Sequence, residues 1–111
     1  GADTSIPEKD GYTPVHGAGF QGRAEVMRVL IAHGFDVYDV HEDGYSALHR
    51  ACWGKESRHT DTVRILLEHG VSPYFPTQGA QGGITCEQMT PSKETKVLIA
   101  EYQRAGMDSD L

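Results

Sequence analysis

Cysteine, tryptophan, basic charge and long apolar runs are all scarce in this chain. Its 111 residues hold two cysteines, Cys52 and Cys86, one tryptophan, and ten Lys+Arg against sixteen Asp+Glu, a formal charge of -6. No apolar stretch approaches the ~18 residues a membrane span needs, so direct membrane insertion is not expected. The acidic balance repels phosphate backbones, which speaks against nucleic acid and anionic membranes as partners, and it leans toward a protein partner with a basic patch. A small secreted domain normally carries more cysteine. Both are therefore read as thiols of an intracellular, reducing compartment, with a single Cys52–Cys86 disulfide as the alternative. The opening Gly1-Ala2-Asp3-Thr4-Ser5 has no signal-peptide pattern, and since the first residue is not Met, part of a longer chain is expected. Apolar residues make up 38% of the sequence. With a mean hydropathy of -0.47, that is low for one thick core and fits a thin stack of helices with two exposed faces.

What the chain has instead is internal repetition. Asp10-Gly11-Tyr12 recurs as Asp43-Gly44-Tyr45, and Val15-His16-x-Ala18 as Leu48-His49-x-Ala51, both at a spacing of 33. Leu30-Ile31-Ala32-His33-Gly34 recurs as Leu66-Leu67-Glu68-His69-Gly70 at a spacing of 36. The three extra residues fall between Trp53 and His59. Gly1-Ala2-Asp3 lies 33 before Gly34-Phe35-Asp36, which reads as the remnant of an earlier unit.

These residues resemble the ankyrin-repeat family. Its Thr-Pro-Leu-His signature is matched by Thr13-Pro14-Val15-His16 and, more loosely, by Ser46-Ala47-Leu48-His49. A second family segment is matched by Gly22-Arg23-Ala24-Glu25-Val26-Met27 through Gly34. The resemblance implies an all-α repeat solenoid, helix-turn-helix units with β-hairpin or loop fingers between them. It divides the chain into a remnant (1–9), a repeat (10–42), a second repeat with inserted residues and a long loop (43–82), a degenerate C-terminal capping repeat (83–106) and a tail (107–111). In the cap, Gly83-Ile84-Thr85 aligns with Gly11-Tyr12-Thr13, and Gly106 with the helix-ending Gly34, while Gln88 replaces the signature His.

Local chemistry agrees. Thr13 is a good N-cap and Pro14 a good first helical residue; Ser46 repeats the cap without the proline. A first helix is expected over about 14–21, its Gly17, Ala18 and Gly19 allowing close approach of the next unit. A second is expected over about 24–32, with Val26, Met27, Leu30 and Ile31 as its apolar stripe, ended by Gly34. The matching helix of the second unit is expected to begin at Asp61, with Val63, Leu66 and Leu67 as its stripe, and Gly70 repeats the motif position of Gly34. The Gly- and Pro-rich loop 71–82 is expected to be mobile or ordered by a partner.

The six histidines support no catalytic or metal assignment. By the resemblance, His16 and His49 tie adjacent loops together. His33 and His69 suit helix C-termini. His41, on a finger, and His59, at a helix start, are free to touch a partner, with no catalytic companion. His49, Cys52 and Cys86 fall short of the four ligands of a structural zinc site. Gly79–Gly83 lacks the strand, Lys and helix of a phosphate loop. Neither an enzyme nor a cofactor is expected.

Aromatic and charged residues off the core pattern are the candidate partner-binding set. Phe20 and Trp53 hold one concave position in both repeats, and Arg50 another. Tyr12, Tyr38, Tyr45, Tyr74 and Phe75 lie in or beside the fingers, and Trp, Tyr and Arg are enriched at binding hot spots. Phe20 and Trp53 could equally pack on one another. Asp36, Asp39 and Glu42, with His41 between them, read either as selectors of a basic patch or as a solvated edge.

The expected function is a non-catalytic module that binds a partner protein through its concave helix and finger surface. The alternatives are a permanent architectural subunit or linker of a larger complex, and the ankyrin portion of a larger enzyme or channel. Two repeats and a cap barely reach the ~3 units a solenoid needs, so stability alone should be marginal.

Overall fold

Thr13, Ser46 and Thr85 each stand in extended backbone just before a short helix, and in each case the residue at N3 reaches back to the cap's own N–H. That capping box starts all three inner helices. In the computed structural model, residues 13–40, 44–78 and 82–109 are described, the last four by backbone alone. The described helices are α1 (Pro14–Gln21), α2 (Ala24–Ala32), α3 (Ala47–Cys52), α4 (Ser57–Glu68), α5 (Cys86–Met89) and α6 (Lys93–Ser109). Inner helices α1, α3 and α5 pack in one row and outer helices α2, α4 and α6 in a second. This is the expected all-α solenoid. The first two helices fall where the Thr-Pro cap and the glycines place them.

Between the rows lies a dry seam of Val15, Ala18, Met27, Leu48, Ala51, Val63, Leu66, Leu67, Leu98 and Ile99, each at most 5% exposed. α4, between α2 and α6, buries most of its residues; α2 buries only Met27 fully, and Val26 and Val29 stay exposed. Gly19 is what lets the inner row close. A Cβ there would stand 2.5 Å from the Ala47 carbonyl oxygen and 3.2 Å from its carbon. Gly34 and Gly70 follow α2 and α4 with φ of 87° and 98°, the left-handed residue that ends such helices.

Several expectations need correction. Asp61 does not begin the outer helix of the second repeat: α4 starts at Ser57, so the inserted residues become an extra N-terminal turn. Gly106 does not end its helix, since α6 runs to Ser109. Among the described residues the fingers form no strands. Their turns close instead on side chains: Tyr38 N–H donates to Asp36 Oδ1 at 2.9 Å, and Tyr74 N–H to Ser72 Oγ at 3.0 Å. Asp36 therefore has a turn duty that the sequence reading did not give it. In the second finger, Pro73 and Pro76 also remove two ladder donors.

Cys52 and Cys86, expected as thiols, are joined in a disulfide with Cα atoms 5.5 Å apart. Both are fully buried where α3 meets α5. The repeat register sets Cys86 at the start of α5 and Cys52 at the end of α3, but spacing alone does not show that the two side chains meet. The expectation of a reducing compartment rested on free thiols and loses that support.

Candidate binding groove

The histidines show how the sequence builds the inner surface. His16 Nδ1 accepts from the Thr13 N–H at 2.9 Å, so the ring proton sits on Nε2, which donates to the Asp39 carbonyl at 2.8 Å. His49 repeats this with the Ser46 N–H at 3.1 Å and the Phe75 carbonyl at 2.9 Å. Each signature ring thus locks a helix start to the finger that follows. Burial holds the His49 pKa below its ordinary 6.5, against the opposing pull of the Phe75 carbonyl. In the cap, Gln88 keeps the first bond, accepting from the Thr85 N–H at 3.0 Å. His33 and His69 instead place Nδ1 on carbonyls four residues back, Val29 at 3.1 Å and Ile65 at 2.8 Å.

Three aromatic residues assigned to partner binding have duties in the fold. The Tyr38 hydroxyl donates to the Gly70 carbonyl at 2.9 Å, and its ring meets Phe75 edge-on at 5.1 Å. Phe75 stacks on His49 with centroids 5.4 Å apart. Tyr45 meets Trp53 edge-on at 4.6 Å. Trp53 and Phe20 stay 41% and 54% exposed, and no ring contact joins them. Tyr74 is equally exposed, at the second finger. Asp39 is exposed at the first finger, its carbonyl being the one His16 holds. Tyr12, His41 and Glu42 lie outside the described residues.

Part of the loop expected to be loose is tied down by this chain itself. Thr77, 2% exposed, donates from N–H to the Ile84 carbonyl at 2.8 Å, and the Gln78 N–H reaches the Gly44 carbonyl at 2.8 Å.

Phe20, Arg50 and Trp53 line one open groove of about 920 Å³, with Gln21, Arg23, Glu25, Val26, Arg58, His59 and Asp61 among its other walls. The inserted turn of α4 forms its far side. His59 Nε2 donates to the Phe20 carbonyl at 3.0 Å and Arg58 Nε to the Gln21 carbonyl at 3.0 Å. His59, expected to be free for a partner, is 6% exposed and wedged against Gly22 and Gly54, where any side chain would collide with its ring. The sequence reading missed Arg23 and Arg58 as groove residues: Arg58 arrives on that extra turn, and Arg23 is held at the α1–α2 corner by the Gln21 side chain. Among the described residues no three His, Cys, Asp or Glu side chains gather to hold a metal. No described helix is long and apolar enough to cross a membrane.

A two-row helical repeat stack with tied fingers and an open groove at the turns between its rows defines a class of repeat protein. A family model described as ankyrin repeats (3 copies) matches residues 1–76, and the chain belongs to that family. It is 41% identical over 64 residues to the Transient receptor potential cation channel subfamily A member 1 homolog of Caenorhabditis elegans, covering 58% of this chain and 5% of that protein. Protein phosphatase 1 regulatory subunit 12A of Mus musculus is 40% identical over 62 residues, covering 55% of this chain and 6% of that one. The Notch-regulated ankyrin repeat-containing protein of Xenopus tropicalis is 34% identical over 58 residues, 52% of this chain and 48% of its own. The chain thus spans a small fraction of the first two relatives. Ankyrin repeats generally mediate protein–protein interaction without catalysis.

Proposed function

We propose that this chain binds a partner protein through the groove lined by Phe20, Arg50 and Trp53, as a non-catalytic interaction module. The observation that carries the reading is that Phe20 and Trp53, one from each repeat, present large exposed apolar surface into a single groove. Neither is needed to fill the seam between the rows. Exposed aromatic surface of this kind commonly marks an interaction site. Tyr74 and Asp39 are exposed separately on the fingers and line no part of the groove; the Asp39 carboxylate is suited to a basic group on a partner. Capture by cross-linking from the native source tests this, comparing wild type with Phe20→Ala/Trp53→Ala. One protein captured by wild type and lost with the variant, at unchanged helicity, supports the groove. Equal capture contradicts it.

A second reading is that the chain serves as the ankyrin portion of a larger channel or regulatory protein. The match to 5% and 6% of two much longer relatives favours it. It is compatible with the first, since the same groove would then bind within or between larger chains.

A further inference from the structure

We infer that the groove takes an acidic peptide segment, one whose carboxylates flank an apolar side chain. The inference rests on the reading of the groove as the binding surface and assigns the chemistry of its occupant.

The chain as a whole is acidic, with a formal charge of -6, yet three of its six arginines, Arg23, Arg50 and Arg58, converge on this groove. They come from the α1–α2 turn, from α3 and from the inserted turn of α4. Among the described residues, two carboxylates line it, Glu25 and Asp61. Glu25 is already engaged by Arg28, which lies outside the groove, at 3.7 Å. That contact is the one ion pair among the described residues, so Arg23 and Arg58 are neutralised by no described carboxylate. Both are nevertheless oriented. Arg23 Nε donates to the Gln21 side chain and Arg58 Nε to the Gln21 carbonyl, which leaves the two-nitrogen end of each guanidinium outside these bonds. A planar guanidinium held by one edge is suited to receive a carboxylate on the other.

The apolar part of the ligand follows from the walls. Phe20 and Val26 are 54% and 44% exposed, and Trp53 41%, beside these charges. An apolar side chain would cover them while neighbouring carboxylates reach Arg23 and Arg58. A long phosphate strand or an anionic membrane fits less well, since either would meet the acidic remainder of the surface. A short acidic segment presents its charges only where the arginines stand.

Panning a random-peptide phage library on the folded chain tests this. Affinities of the selected peptides are then measured for wild type, Arg23→Glu/Arg58→Glu, and an outer-face control of equal charge change, Arg64→Glu/Arg104→Glu. Enrichment of Asp and Glu beside an apolar residue is expected, with affinity falling at least about tenfold in the groove variant and holding in the control. Binding should also weaken as salt rises. If the groove variant loses helicity, Arg23→Gln/Arg58→Gln replaces it, with a smaller loss expected. Selected peptides without acidic excess that Phe20→Ala/Trp53→Ala still abolishes would overturn the acidic assignment and leave the groove reading intact. Peptides indifferent to Phe20→Ala/Trp53→Ala would contradict both. Recovery of no binding peptide, or tighter binding of oligouridylate than of any selected peptide, would overturn the inference as well.

Discussion

His49 and Phe75 are joined twice, by a 2.9 Å hydrogen bond from Nε2 to the Phe75 carbonyl and by ring stacking at 5.4 Å. Because His49 also accepts the Ser46 N–H, one neutral ring fixes a helix start and the finger beyond it together. The inner surface that carries Trp53 and Arg50 is built from this joint.

Replacing His49 with Ala should strand a buried N–H and a carbonyl, at about 2–4 kcal/mol in all. Gln should cost less, because Gln88 shows that an amide keeps the bond to the cap's N–H. Urea denaturation of both variants checks the order. An Ala variant as stable as wild type would show that the joint contributes nothing.

The same residue gives a pH dependence. Its pKa in the folded chain is lowered by burial from the ordinary 6.5, so below that value the unfolded chain binds more protons at this site. Its contribution is fully present above pH 6.5 and declines as pH falls toward the lowered folded value. Denaturation between neutral and mildly acidic pH should show stability dropping, with a shallower slope in His49→Gln. Parallel slopes would remove His49 as a cause.

Gly19→Ala separates helix propensity from packing. Propensity alone favours Ala by about 1 kcal/mol. A Cβ 2.5 Å from the Ala47 carbonyl oxygen must instead push α1 from α3, which should make the variant less stable by about 1–3 kcal/mol. A melting temperature above wild type would mean that the inner row has room to spare.

The Cys52–Cys86 bond closes a loop with a sequence separation of 34. In the chain-entropy account such a loop stabilises by about 4 kcal/mol. Cys52→Ala/Cys86→Ala should lose most of this, first by loosening α5 and α6, which hydrogen exchange can locate. Uniform exchange, with stability unchanged, would contradict a stapling role for the bond.

The sequence was most legible where local chemistry decides the outcome. Thr13-Pro14 and Gly22 bracket α1, and Gly34 closes α2, so both helices could be placed to the residue. The signature histidines could be given their tying role from the family resemblance, though not their partners. Legibility ended where distant segments meet. Gly54-Lys55-Glu56 reads as a loop in either case, so the added turn that buries His59 and delivers Arg58 has no local mark. Tyr38 and Phe75 read as spare aromatics because their contacts, Gly70 and His49, lie 32 and 26 residues away in the chain. Phe20 and Trp53 could be paired by their spacing of 33, but only the packed structure separates a shared groove from a stacked pair.

Photo-cross-linking from single positions separates partner binding in the groove from binding elsewhere on the stack. A benzophenone side chain is placed at Phe20, at Trp53 and, on the outer row, at the equally exposed Val97. A partner seated in the groove gives one common adduct from Phe20 and Trp53 and none from Val97. An adduct confined to Val97, with the groove positions silent, would contradict binding in the groove.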